Sequence, residues 1–199
     1  MSIDPITDAQ ATRFKRLAWP MMGVTLRAAQ CLTRDADQAE DLAQETMVKA
    51  MRAIDSYRDG TDIKAWLLTI LRRTHIDGLR VQQNRPIQLS LEAENVDLPE
   101  TEEQRAGRFD HKWDEPEELM SQFDDDSIIA ALQTLPDDIR WTLLLVDIEQ
   151  MEQTDAARVM DVAVGTIKSR VHRGRAMLRD RLYATAVKRG WVAAKEGSL

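Results

Sequence analysis

The feature that most limits how this chain can fold is a block of acid near its middle. Between Ser90 and Asp126 stand 14 acidic and 3 basic residues, a local charge of −11. Like charges at that density repel, and the stretch has no sustained apolar period, so it cannot join a packed core. Pro86, Pro99 and Pro116 further break any helix there. Residues 85–123 therefore read as an extended, flexible linker, and the core must come from what lies on either side.

Both flanks carry helical periodicity. With 31% charged residues, 5% aromatics and no clusters of β-branched residues, nothing argues for strands. From Ala9 to Leu32, apolar and basic residues mix at helical spacing. Thr33 or Asp35 is the candidate N-cap of a helix over residues 36–54, with Ala39, Leu42, Ala43, Met47, Ala50, Met51 and Ile54 on one side. Ser56 to Asp62 breaks the pattern, and Asp59-Gly60 is a turn signal. A third helix, residues 63–82, carries Trp66, Leu67, Ile70, Leu71, Ile76 and Leu79. Beyond the linker, the pattern predicts a short helix over 128–132, another started by Pro136, and two more over 154–160 and 164–183. The expected fold is all-α: two small helical domains, residues 1–84 and 124–190, joined by the acidic linker, with a tail at 191–199. The tail, with Trp191, reads as a frayed terminus, a short extra helix or a partner site.

The net charge of −7 argues against nucleic acid only until its distribution is considered. Without the acidic block the remainder is +4, and Gly165 to Arg189 holds eight Lys or Arg against one acid, Asp180. The single cysteine, Cys31, allows no internal disulfide. His75, His111 and His172 are too scattered to bind a metal. This suits a reducing cytoplasm. The N-terminus lacks the basic and apolar regions of a signal peptide. Runs such as Leu143–Val146 are too short to span or insert in a membrane. No Gly-rich phosphate loop and no nucleophile–base set is visible, so neither catalysis, metal nor cofactor is expected.

The sharpest local pattern lies in the second flank. A helix-turn-helix needs a small residue where its two helices touch, a turn residue four positions on, and an aliphatic six further. Ala157, Asp161 and Ile167 have that spacing, with Val162 and Val171 as further core contacts. Asp161 stands where glycine is usual, and Asp tolerates positive φ better than most residues. The second helix would display Thr166, Lys168, Ser169, Arg170, His172, Arg173 and Arg175, with Gly165 letting backbone approach DNA. Arg and Lys bond guanine edges or phosphates, and hydroxyls bond phosphates. The alternative is a solvated basic face, against which the helix-turn-helix spacing weighs.

Two blocks, Asp35–Arg80 and Ala131–Leu182, with the strings AEDLAQET, GTDIKAWL and VGTIKSRVHRGR, resemble the extracytoplasmic-function group of bacterial sigma factors. The resemblance implies a factor that binds core RNA polymerase and promoter DNA and directs initiation. It places Asp41, Leu42, Gln44, Glu45 and Thr46 on the helix that grips the polymerase clamp; an ordinary solvated face is the equal alternative. It places the loop Tyr57, Arg58, Asp59, Gly60, Thr61, Asp62 and Ile63 where an unpaired minus-ten base is captured. Lys64, Arg72, Arg73 and Arg80 would hold melted DNA beside it. Trp66 matches a family tryptophan, and also reads as a core aromatic. Arg73 stands where many members carry Asn. Gly165, Thr166, Lys168, Ser169, Arg170, His172, Arg173 and Arg175 fall on the minus-thirty-five reading helix. The linker is either a solvated spacer or a mimic of nucleic acid in the polymerase's RNA path. An anti-sigma protein is a further implied partner, and the free chain is expected to be a monomer.

The implied mechanism is recruitment followed by strand capture, with melting driven by binding energy. Three rivals are weighed. An ordinary helix-turn-helix regulator would leave the AEDLAQET helix without a role. A sigma mimic would have lost the basic reading helix. A hydrolase would need carboxylates on facing helices, whereas the acids here lie mostly in the linker.

Overall fold

A computed structural model describes residues 6–83 and 125–188. The linker and the tail expected at 191–199 fall outside the described residues. Within them, every regular element is a helix.

The first half opens with α1 (Asp8–Leu17), started by a capping box in which Thr7 accepts from the Gln10 backbone and the Gln10 side chain accepts from Thr7 N–H. The expected continuous stretch to Leu32 is interrupted. Pro20 lies within a 3-10 turn, Trp19–Met21, and α2 runs Met22–Leu32. Proline lacks the N–H that would carry an α-helix through this point. Asp35, not Thr33, caps α3 (Ala36–Ala53), its carboxylate accepting from Gln38 N–H at 3.0 Å. The predicted apolar stripe is the buried face of α3, although Met51 is only partly covered. A 3-10 turn, Ile54–Ser56, and a polar loop lead into α4 (Ile63–Gln83).

The second half comprises α5 (Asp125–Gln133), α6 (Asp137–Leu143), α7 (Gln153–Met160) and α8 (Val164–Lys188). The helix started at Pro136 does not stay α throughout. Leu144–Ile148 widens to a π turn, closed by Glu149 N–H on Leu144 C=O at 2.9 Å. Such turns commonly occur at functional sites. Between α7 and α8, Asp161 adopts φ 55, ψ 50. Its N–H bonds Arg158 C=O and that of Val162 bonds Ala157 C=O, the paired closure of a Schellman motif. The spacing-based expectation of a left-handed turn residue here is met. α8 crosses α6 at Gly174, where a Cβ would lie 2.8 Å from Ile139 Cγ2 and 3.0 Å from Leu143 Cγ.

The two helical domains expected from the sequence pack against each other through one shared buried cluster. Ala28, Ala29, Leu32, Leu68 and Leu71 of the first pack in a single buried cluster with Leu132, Leu135, Ile139 and Ile167 of the second. The second half also closes the end of α2, whose last carbonyls have no partners within the helix. Arg140 donates to Leu32 C=O at 2.9 Å, and the Gln133 amide donates to Gln30 C=O at 2.8 Å and to Thr33 C=O. A second cluster, Phe14, Ala18, Met47, Ala50, Ile54, Tyr57 and Leu67, belongs to the first half alone.

Candidate nucleic-acid interface

Helix α8 sorts its residues by face. Ile167, Val171 and Leu178 are buried, while Gly165, Lys168, Ser169, His172 and Arg173 are exposed and Thr166 is half-exposed. The Ser169 hydroxyl donates back to Thr166 C=O at 2.9 Å. Two predicted reading residues are engaged within the protein. Arg170 pairs with Asp138 of α6 at 3.1 Å. Arg175 Nη2 lies 2.6 Å from Asp147 Oδ1, in the π turn, and its Nε donates to Oδ2 at 3.2 Å. These pairs orient α8 on α6, so the exposed surface of α8 centres on Lys168, Ser169, His172 and Arg173.

The loop between α3 and α4 presents Arg58, Asp59, Gly60, Thr61 and Asp62 to solvent. Its geometry is closely held. Tyr57 is buried, its ring edge-on to Trp66 at 5.6 Å, and its hydroxyl donates to Thr61 C=O at 2.5 Å. Tyr57 and Trp66 thus form the loop's floor, with Trp66 partly covered against the second cluster. Ile63 is partly covered in the same cluster. Gly60 has φ +86, a conformation glycine adopts without steric cost. Asp62 accepts from Lys64 N–H at 2.8 Å, starting α4.

Along α4 the basic residues divide. Arg73 and Arg80 are exposed, and Arg80 lies 3.8 Å from Asp77. Lys64 and Arg72 instead face the second half. Lys64 Nζ donates to Glu149 C=O and lies 4.0 Å from Glu149 Oε2. The Arg72 guanidinium is held below its ordinary pKa, first by burial and then by Arg170 and Arg73, with Asp161 opposing. His75, whose ring is tilted against that of Trp141 with centroids 5.9 Å apart, is likewise pushed down, first by burial and then by Arg140, against Asp137.

On α3, Asp41, Gln44 and Glu45 are exposed, with Val48 41% exposed beside them. Leu42 and Thr46 are buried, and the Thr46 hydroxyl donates to Leu42 C=O at 2.7 Å. These two cannot touch a partner directly; they seat the helix that presents the other three.

Three groups central to this geometry escaped the sequence reading. Arg13 of α1 holds the loop before α4, and Asp138 and Asp147 hold α8. A fourth, Glu149, is buried between the halves, its Oε1 accepting from Arg27 Nε at 3.0 Å. Among the described residues there is no group of three His, Cys, Asp or Glu placed to hold a metal, and no helix long and apolar enough to cross a membrane.

Comparison with known proteins yields sigma factors. Residues 23–85 match sigma-70 region 2, and residues 125–178 match sigma-70 region 4. The chain is 38% identical over 162 residues to the ECF RNA polymerase sigma factor EcfG of Rhodopseudomonas palustris, covering 80% of each chain. It is 30% identical to the ECF sigma-E factor of Haemophilus influenzae over 78% of this chain and 82% of that one. The structure resembles the sigma factor RpoE solved with the anti-sigma factor NepR from Bartonella quintana. There the TM-score is 0.61 at 28% identity, over 85% of this chain and 96% of that one. Two sigma modules in order on an all-helical fold, with relatives matched over most of their length, lead to one conclusion: the chain belongs to the extracytoplasmic-function sigma factors, which bind RNA polymerase and DNA in promoter-specific transcription initiation.

Proposed function

We propose that this sigma factor reads a promoter at two places and catalyses nothing itself. Residues 124–190 form the unit for the minus-thirty-five element. There α8 enters the major groove, with Lys168 and Arg173 on phosphates and base edges, Thr166 and Ser169 on phosphates, and His172 beside them. Residues 1–84 form the unit for core polymerase and the minus-ten element. Asp41, Gln44 and Glu45 offer an acid-and-amide face to a basic partner helix. The loop from Tyr57 to Ile63 accepts an unpaired base, and Arg73 and Arg80 attract the strand. The factor works beside polymerase and DNA in the bacterial cytoplasm. The observation that best supports the reading is the exposed set on α8, left facing outward while Arg170 and Arg175 are engaged inward.

The packed arrangement described above is the factor's closed form. Arg72 of α4 lies near enough to Asp161 and Arg170 for their charges to act on it. Two promoter elements separated by two helical turns of DNA are about 70 Å apart. The two units must therefore part before both can be engaged, and docking on polymerase supplies the free energy for that separation. An anti-sigma protein, as in the Bartonella quintana relative's complex, would act on the same equilibrium by holding the units away from polymerase.

The test is transcription by purified core polymerase, with and without the protein, on fragmented DNA from the source organism, with start sites mapped. New starts sharing two upstream motifs are expected. If core polymerase is bound but no new starts arise, the promoter-reading assignment fails; if core is not bound, the α3 face is misassigned as well.

A further inference from the structure

The loop assigned to base capture has little packing of its own. Of its residues, Tyr57 alone is buried, and Arg58 through Asp62 are exposed. Exposed loops of this composition sample many conformations, whereas capture of one particular base requires a fixed arrangement of donors and acceptors. Beyond the bonds within the loop and the Tyr57–Trp66 contact, its anchoring comes from α1.

Arg13, with a side chain 24% exposed, reaches across to this loop from more than forty residues earlier in the chain. Its Nη1 donates to Ile54 C=O at 3.1 Å. Its Nη2 donates to Tyr57 C=O at 2.9 Å and to Asp59 Oδ1 at 2.9 Å. The guanidinium carbon lies 5.9 Å from the centre of the Tyr57 ring, within cation–π range. One turn earlier on the same face, the Gln10 amide donates to Asp55 Oδ2 at 2.8 Å. The Ile54 carbonyl already accepts from Tyr57 N–H at 3.1 Å, so Arg13 adds a second bond there, and the Tyr57 carbonyl is the one just past the end of the 3-10 turn. The planar fork of a guanidinium can hold both and a carboxylate together, a task unsuited to the compact ammonium of lysine.

We propose that Arg13 is a positioning residue for minus-ten recognition: it fixes the Tyr57–Asp62 loop in the shape that receives the unpaired base, without itself touching DNA. The inference rests on the reading of that loop as the base-capturing element. Through Arg13, the path of the loop depends on α1, outside the sigma region 2 match at residues 23–85. The hydroxyl of Tyr57, bonded to Thr61 C=O, carries the constraint onward to the loop's exposed rim.

The experiment uses holoenzyme assembled from the full chain and core polymerase, on a promoter found by start-site mapping. Each minus-ten base is varied in turn and open-complex formation is measured. Arg13→Ala is expected to reduce discrimination at one minus-ten position about tenfold, the scale of one lost base contact. Affinity for core polymerase and for a minus-thirty-five duplex stays unchanged. Arg13→Lys keeps the charge and most of the stem, and is expected to show the same loss. Full discrimination in the lysine variant would reduce Arg13 to a general positive charge and overturn the proposal. The lysine variant also carries the test should the alanine variant fail to fold. Thr61→Ala and Asp62→Ala serve as loop controls. If the controls lose discrimination and the Arg13 variants do not, the positioning role is refuted while the loop reading stands. If the controls have no effect, the loop reading falls and the proposal with it. A parallel loss of core affinity, minus-thirty-five affinity and discrimination in both Arg13 variants would show a merely structural role.

Discussion

Replacing Arg27 by alanine is expected to open the closed form more than replacing its partner, Glu149. The Glu149 side chain is 2% exposed, whereas that of Arg27 is 50% exposed. Two guanidinium nitrogens of Arg27 converge on Glu149 Oε1, at 3.0 and 2.9 Å, and Lys64 Nζ stands 4.0 Å from Oε2. Arg27→Ala leaves a buried carboxylate with only that more distant cation. Stranding a fully buried charge costs about 3–5 kcal/mol. Because water already reaches half of Arg27 and Lys64 remains, about 2 kcal/mol is the appropriate scale, a shift of roughly 30-fold toward open. Glu149→Ala removes the attraction together with the desolvation it offset, so its cost is about 1 kcal/mol or less. The double variant is then expected to resemble Glu149→Ala, giving a coupling energy of about 2 kcal/mol, the whole cost of Arg27→Ala. The assay is small-angle scattering of the free protein, combined with energy transfer between dyes at exposed Gln44 and Lys168 changed to cysteine. An Arg27→Ala protein as compact as its parent, or additive effects in the double variant, would refute the reasoning.

Two further outcomes are expected. Gly174→Ala gains up to about 1 kcal/mol in helix propensity but drives a methyl into Ile139 and Leu143, an overpacking cost of about 1–3 kcal/mol, so thermal melting will show a net loss. For His75, burial depresses the pKa in the closed form, while in the open form the imidazole has its ordinary value of about 6.5. The open form therefore binds more protons below that value. The His75 contribution to closure is complete above about pH 6.5 and is lost as pH falls toward the depressed closed-form value, with a slope of at most about 1.4 kcal/mol per pH unit. Scattering across pH 7 to 5 checks this, with His75→Phe expected to remove that part of the dependence and an unchanged profile counting against it.

The helical content and the helix-turn-helix were legible because they rest on local signals. Apolar stripes such as Ala39, Leu42, Ala43 and Met47 carry the helical period, and Asp161 marks a left-handed turn by its spacing alone. The break at Trp19–Pro20 was also written in the sequence, since proline ends the hydrogen-bond ladder, but periodicity on both sides masked it. The inward roles of Arg170 and Arg175 were readable as well. At 100° per residue they lie about 70° to either side of the buried stripe of Ile167, Val171 and Leu178, while Ser169 and Arg173 lie on the far side. The π turn after Leu143 has no comparable local signature. Nor does the contact between Arg27 and Glu149, which are 122 residues apart in sequence. The shared core belongs to the same class: nothing in the spacing of Leu68 and Leu71 distinguishes burial under α2 and α3 from burial under α7.

If α4 holds melted DNA as proposed, closure and DNA binding draw on the same cations. Lys64, expected from the family resemblance to hold melted DNA, is held by Glu149 in the closed form. Arg72, expected to do the same, lies within electrostatic reach of Asp161, the residue that also makes the helix-turn-helix turn. A phosphate approaching α4 must displace or outcompete these carboxylates, and the carboxylates leave only as the second unit withdraws. Strand capture by α4 is thus thermodynamically linked to opening: whatever favours the open form raises affinity for melted DNA, and DNA held on α4 favours the open form by the same factor. Arg73 and Arg80, on the exposed part of α4, are outside this competition. On the proposed reading they make first contact with the strand while the units are still closed, whereas Lys64 is freed from Glu149 only by separation. On that reading, the order in which α4 engages DNA follows from Lys64 being held by Glu149 while Arg73 and Arg80 stand exposed.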